Sequence, residues 1–573
     1  MSTGTDSSVA SRPLWPVSGL TALFDFAAST HRRAVAVLVL VSLVAFLPGF
    51  FQMPPVDRDE ARFAQATKQM VETGDYVDIR FQDTVRYKKP VGIYWLQAAV
   101  VNVAEALGVR GARTTIWLYR VPSLVGAVGG VLATYWCALA FVGGRAACLA
   151  ALMMAGSVLL GAEARLAKTD AMLLLTVVAA MGALARVYLA PRDRVVSGWA
   201  LPAVFWTALG AGILLKGPLI LMIVGLAAAA LAIMDRSARW LLSLRPLSGT
   251  ALLLVLVLPW FIAIFARAGT AFLADSVGHD MLAKVASGQE SHWAPPGFYF
   301  VLFFATFFPG SIIAGLAAPA AWAKRSEPAI RFLLAWLVPS WVFFEVVATK
   351  LPHYVLPLYP AVAILVAAAI EAKALSRQRW LKLGLIWWPL VPAILGAVAV
   401  SATVVIAHDL ALPAWPFLVA AVLCGLLAWR LYNDDGAERA LTRAVAAAVL
   451  TGMAFYAVIV PALGPLFPSA ALAAVVRGAD CEHPVVASAG YQEPSLVFLA
   501  GTATRLTDAA GAADFLKEGG CRYAFVETDL EPDFAQRAEA IGLRYERVGR
   551  VQGFNISRGQ PLSIAVFQAA RAP

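Results

Sequence analysis

The stretch AVAVLVLVSLVAFLPGFFQMPPVDRDEAR, residues 34–62, decides the fold class. It begins with a charge-free run from Ala34 to Phe51, long enough to cross the core of a bilayer. His31, Arg32 and Arg33 precede the run, and Asp57, Asp59, Glu60 and Arg62 follow it. A cleaved signal peptide would carry a shorter apolar segment and a small-residue cleavage site. The run therefore reads as an uncleaved first span, with residues 1–33 as a cytoplasmic segment.

Working outward from this stretch, comparable blocks recur along the chain. Hydrophobic residues make up 60% of the 573 and charged ones 14%, against about 25% charged in soluble proteins. So few charges cannot coat three or four soluble domains. Apolar blocks predict thirteen spans, within 34–52, 118–142, 145–163, 169–190, 198–215, 217–234, 247–266, 298–320, 330–349, 354–374, 383–407, 413–431 and 442–463. An odd count places the C-terminus opposite the N-terminus. With this count the clusters Arg192/Arg194, Arg236/Arg239/Arg245, Lys324/Arg325 and Arg377/Arg379/Lys382 all share the cytoplasmic side with Arg32 and Arg33.

The net charge of +10 belongs largely to those anchors. No segment interleaves basic and aromatic residues as a single-strand binding surface does, which excludes nucleic acid as a partner. The reading is a polytopic α-helical membrane protein. Residues 34–465 form its transmembrane domain, 53–117 a large first external loop, and 470–573 a small soluble α/β domain. In the loop, Asp59 to Thr73 reads as an amphipathic helix and Val91 to Leu107 as a helix lying in the interface. In the tail, 485–489, 495–499, 523–526 and 563–567 read as strands, and 509–517 and 533–541 as helices. Cys481 and Cys521 lie in this tail, where a disulfide and two separate thiols are both compatible with the sequence.

Unusual ionisable groups gather on the external side: Asp57, Asp59, Glu60 and Arg62; Lys88 and Lys89; Glu163, Arg165, Lys168 and Asp170; Lys216; His279, Asp280 and Lys284; and Lys350 to Tyr354. Charges at span ends are costly beside lipid and mark functional positions. Asp59 and Glu60 open a helix, where the dipole favours carboxylates and where a general base or substrate-positioning acid also belongs. Lys88 and Lys89 suit either interfacial snorkelling or a phosphate contact, and Tyr354 either an interface belt or a hydrogen bond to a ligand phosphate.

Six motifs occur in order: Asp59-Glu60-x-Arg62, Lys89-Pro90-x-x-x-Tyr94-Trp95, Tyr119-Arg120-x-Pro122-Ser123, Glu163-x-Arg165 with Asp170, Trp293-x-Pro295-Pro296, and Lys350-x-Pro352-x-Tyr354-x-x-Pro357. Together they resemble the bacterial aminoarabinose-transferase branch of the protein-mannosyltransferase-like glycosyltransferases, a GT-C membrane fold. The resemblance implies a periplasm-facing enzyme of the inner membrane that takes a sugar from undecaprenyl phosphate and passes it to lipid A or another envelope glycoconjugate. It implies Asp59, Asp170 and Arg62 as catalytic residues, and Lys89, Lys284 and Tyr354 as ligands of the donor phosphate. Glu60, Lys88, Arg165, His279 and Lys350 are secondary candidates.

Two positions depart from that pattern. Lys88 stands where the family has an acidic residue that helps hold a divalent metal, leaving His279 as the remaining nearby candidate and arguing against a tight metal site. Lys284 stands where an arginine is usual, keeping the charge but losing the bidentate fork. Three other readings accommodate the same spans: a relative that glycosylates exported protein, a transporter, and a non-catalytic lipid-binding protein. Transporters concentrate charge at the membrane midplane, whereas the charges here lie toward one surface.

Overall fold

The computed structural model describes residues 17–191, 198–269, 272, 293–478, 481 and 483–570. It is a helical bundle that carries a small sheet domain at its C-terminal end. The bundle begins with α1 (Val17–Ala28), α2 (His31–Phe46) and the loop helices α3 (Asp59–Thr73) and α4 (Gly92–Ala106). Then follow α5 (Ile116–Ala138), α6 (Gly144–Ala155), α7 (Val158–Glu163), α8 (Asp170–Tyr188), α9 (Ala200–Lys216), α10 (Leu219–Asp235) and α11 (Pro246–Ala268). Further helices run from Phe298 to Ala462.

Among the described residues, eight helices are long and apolar enough to cross a membrane. They account for the expected spans at 118–142, 169–190, 247–266 and 330–349, and for the four from 354 to 463. The other five expected positions hold shorter or broken helices. Two of these breaks have local causes. Ser157 accepts a hydrogen bond from Leu160 N and starts α7 afresh after Gly156. Pro309, which has no N–H for the helical ladder, separates Phe298–Thr306 from Gly310–Ala323. The chain is a multi-pass membrane protein.

The first loop follows its hydrophobic pattern. Helix α3 has Asp59 and Glu60 in its first turn and stops at Gly74, whose φ of 72° suits the left-handed cap. A two-stranded hairpin, β1 (Arg80–Phe81) and β2 (Thr84–Val85), leads on toward α4. Phe63, Ala66 and Met70 of α3 pack with Ile93 and Tyr94 of α4 and with Trp260 and Ile264 of α11, which seats the loop on the bundle.

The C-terminal sheet comprises β3 (Val485–Ala489), β4 (Arg505–Thr507), β5 (Arg522–Glu527), β6 (Tyr545–Asn555) and β7 (Gln560–Ala569), in the order β4-β3-β5-β7-β6. The β3–β4 and β3–β5 pairs are parallel, and β7 runs antiparallel to β5 and β6. One expected strand is corrected: residues 495–499 lie in the helix Pro494–Ala500, which Pro494 starts at its first position. Strand β6 was not foreseen, because its Glu and Arg residues conceal the period-two pattern of an edge strand. Cys481 and Cys521 form a disulfide with their Cα atoms 6.2 Å apart.

This domain sits on the first loop. Gln65 Nε2 donates to Thr502 Oγ1 at 2.8 Å, Lys68 Nζ to Phe498 O at 3.0 Å, and Gln82 Nε2 to the carbonyls of Thr502 and Thr504.

Candidate active site

Adjacent residues on a helix point about 100° apart, and this separates the two acids that open α3. Glu60 turns inward. Its Oε1 receives Arg120 Nε at 2.7 Å and Ala167 N at 2.9 Å, and its Oε2 receives Arg120 Nη2 at 2.9 Å and Val56 N at 2.8 Å. Arg120, fully buried on α5, also donates to the carbonyls of Phe50, Met53 and Pro54. This hub ties the end of the first span to α3, α5 and the 164–169 loop. Asp59, one residue earlier, is left exposed to solvent.

The 164–169 loop carries two further basic residues. Arg165 is buried, donates to carbonyls of Pro48, Gly161 and Ala45, and lies 3.9 Å from the ring centre of Tyr456. Its donors are thus directed at backbone. Lys168 Nζ meets Glu163 Oε1 at 3.0 Å. Burial alone would lower the Lys168 ammonium, but Glu163 and then Asp170 outweigh it and hold the group above its ordinary range.

On the other side, Lys216 at the end of α9 donates to Asp170 Oδ1. The His353 ring stands between the two acids, with Nδ1 3.7 Å from Glu163 Oε1 and Nε2 3.7 Å from Asp170 Oδ1. Lys216 Nζ also lies 5.3 Å over the ring of Tyr354.

Of the residues singled out from sequence, Asp59, Asp170, Lys89 and Tyr354 come to this one place. The charge of Asp59 acts on Lys168, and that of Lys89 on His353. Arg62 acts on Asp57 beside them. Lys88 is exposed next to Lys89. Lys350 is buried and donates to Val347 O at 2.6 Å, holding the irregular turn before Pro352. Lys284 and His279 lie outside the described residues. Sequence reasoning included Lys168, Lys216 and the Lys350–Tyr354 stretch among the external ionisable groups, and Arg120 within a motif, but assigned no specific role to Arg120, His353, Lys168 or Lys216. The available signal was charge placed at helix ends within an apolar chain.

A metal fits this donor set poorly. Among the described residues, Glu163, Asp170 and His353 each offer an atom within 4.8 Å of the others; His279 lies outside the described residues. Lys168 pairs with Glu163 Oε1 and Lys216 with Asp170 Oδ1, which offsets the charge of both acids, while Glu163 Oε2 is buried without a hydrogen-bond partner among the described residues. Two ammonium groups beside the two carboxylates leave little net negative charge to hold a hard divalent ion.

The chain aligns along 96% of its length with the crystal structure of ArnT from Cupriavidus metallidurans bound to undecaprenyl phosphate, covering 98% of that protein at a TM-score of 0.71 and 19% identity. This is a GT-C fold. Within it, residues 88–262 match the family described as dolichyl-phosphate-mannose-protein mannosyltransferase. The GT-C chain is also 27% identical to the undecaprenyl phosphate-alpha-4-amino-4-deoxy-L-arabinose arabinosyl transferase of Pectobacterium carotovorum over 364 residues, 61% of this chain and 62% of the relative. The enzyme of the same name from Erwinia tasmaniensis is 30% identical over 312 residues, 54% of each chain. The match thus spans about three fifths of the length of the Pectobacterium relative.

Proposed function

We propose that this protein is an inner-membrane glycosyltransferase that moves a sugar from undecaprenyl phosphate to lipid A or another envelope glycoconjugate at the periplasmic surface. The observation that carries the reading is the gathering of an exposed carboxylate, Asp59, with Lys89, Lys168, Lys216, Asp170 and Tyr354 at one end of the bundle. The likeness to arabinosyl transferases supports it. A disulfide in the C-terminal domain supports an oxidising compartment there, and an odd number of spans then puts the N-terminus in the cytoplasm.

In this reading the 34–465 segment is the catalytic domain and 470–573 its periplasmic companion. A sugar leaving phosphate passes through an oxocarbenium-like state while the carrier phosphate gains negative charge. Lys89 and Tyr354 meet that charge, joined by Lys284, and losing one such contact costs about 3–4 kcal/mol, or about 10²–10³ in rate. Asp59, with Arg62 and Asp170, aligns the acceptor and takes its proton when the acceptor is a hydroxyl. Lysine charges, rather than a divalent metal, serve the phosphate.

Asp59→Ala and Asp59→Asn test the assignment. Mass spectrometry of lipid A and core oligosaccharide from cells with and without the protein names the sugar and acceptor. Both variants should insert normally and transfer nothing. Full transfer by either removes Asp59 from catalysis, and a product found only on exported protein would move the acceptor to that class.

A further inference from the structure

The turn that leads into α3 is strained, and its side chains are held from outside the bundle. Arg58, between Asp57 and Asp59, lies at φ 67°, ψ −110°. A residue with a Cβ adopts that region rarely and stays there only when its surroundings impose it. The side chains of both Asp57 and Arg58 are tethered to the C-terminal domain. Asp57 Oδ1 accepts from Ser495 N at 3.1 Å. Arg58 Nη2 donates to Ser557 O at 2.9 Å, and its Nε to Ser557 Oγ at 3.4 Å. Further along α3, Gln65, Lys68 and Glu72 bond to the same domain through Thr502 and Phe498.

Resting on the transferase reading, we propose that the C-terminal domain is a working part of the active site, with Asp57 and Arg58 as the positioning residues through which it holds the strained turn and aims the Asp59 carboxylate. Strain adjoining a reactive group has a purpose when the group must be held off its relaxed direction. The bundle anchors the next residue, Glu60, on Arg120. Asp59 therefore lies between a fixed point in the bundle and a fixed point on the domain.

The docking is also sensitive to pH. Burial pushes the Asp57 carboxyl up to about 6; hydrogen bonds from Ser495 oppose this, Glu493 adds to it and Arg62 opposes it. The groups facing Asp57 are Arg62 of α3, Glu493 and Tyr491 of the turn after β3, and Ser495. Ser469 stands behind them, bonded to Ser495 and Tyr491. The docked carboxyl binds its proton more tightly than a free one with its ordinary value of 3.8. Docking is therefore strongest below that value and weakens as pH rises through about 6.

The test uses the full chain, comparing wild type with Asp57→Asn, Asp57→Ala, Arg58→Ala and Arg58→Gly. Hydrogen exchange over 57–62 and 494–500 at acid and neutral pH reports docking, undecaprenyl phosphate binding reports the donor site, and lipid A mass spectrometry reports transfer. Asp57→Ala and Arg58→Ala should raise exchange about fivefold, the loss of one hydrogen bond, and should lower transfer with donor binding unchanged. Arg58→Gly, which adopts φ 67° without a Cβ penalty, should transfer more than Arg58→Ala. Asp57→Asn should abolish the pH dependence of protection, measured against intrinsic exchange at each pH. Equal transfer by Arg58→Ala and Arg58→Gly, wild-type transfer by Asp57→Ala, or donor binding that falls in step with transfer would each overturn the proposal. Wild-type protein that transfers no sugar would instead overturn the transferase reading beneath it.

Discussion

Replacing Arg120 with alanine removes the guanidinium at the centre of the hub beneath α3. The side chains of Arg120 and Glu60 are 0% and 1% exposed, so water cannot replace what is lost. Glu60 would keep only the amides of Val56 and Ala167, and the carbonyls of Phe50, Met53 and Pro54 would lose their donor. Breaking a buried pair from one side costs about 3–5 kcal/mol, because the stranded charge remains buried. Glu60→Gln keeps the shape and removes the charge, and should cost about 1.5–3 kcal/mol. If the stranded carboxylate dominates, Glu60→Gln should cost less in the Arg120→Ala background than in wild type, with coupling above about 1 kcal/mol. Unfolding of the full chain in mixed detergent and dodecyl sulfate, followed by tryptophan fluorescence, measures all four corners of the cycle. A cost below about 1 kcal/mol for Arg120→Ala, or strict additivity, would refute the claim that this pair holds the site together.

Lys89→Ala should weaken undecaprenyl phosphate binding about tenfold to a hundredfold, the value of one charged hydrogen bond; titration of the purified protein checks it, and unchanged affinity ends the phosphate assignment. Chelation with EDTA should leave sugar transfer unchanged, because Lys168 and Lys216 already neutralise Glu163 and Asp170; loss of transfer that zinc or manganese restores would reverse that conclusion. Cys481→Ser should destabilise the C-terminal domain by about 2–4 kcal/mol, seen as earlier proteolysis of the tail, since the bridge closes a 40-residue separation. A tail equally resistant in the variant would contradict it.

Asp59–Thr73 was legible to the residue because it carries its own helical period and its own stop, and Val485–Ala489 because it is a short apolar run of strand length, buried along almost its whole length. Residues 495–499 misled: five largely apolar residues fit a strand or a helix, and the choice fell to Pro494 and to packing against α3. The membrane character was equally plain, since apolar runs report their solvent without reference to any partner. The span count was less so, because Ser157 and Pro309 break helices that composition alone would continue.

Within the site, sequence by itself grouped charges that share one end of the bundle, through their place at the ends of apolar runs. The residues alone did not distinguish Asp59 from Glu60; the family resemblance ranked Asp59 first, and the tertiary structure supplies a physical reason by placing Arg120, 60 residues away, under Glu60. His353 becomes part of the site in the same way, because α7 and α8 bring Glu163 and Asp170 to either side of its ring. Hydrophobic periodicity is a property of neighbours along the chain and can be read in order. Charge pairing is a property of neighbours in space, and burial decides which of two adjacent carboxylates becomes scaffold and which stays exposed.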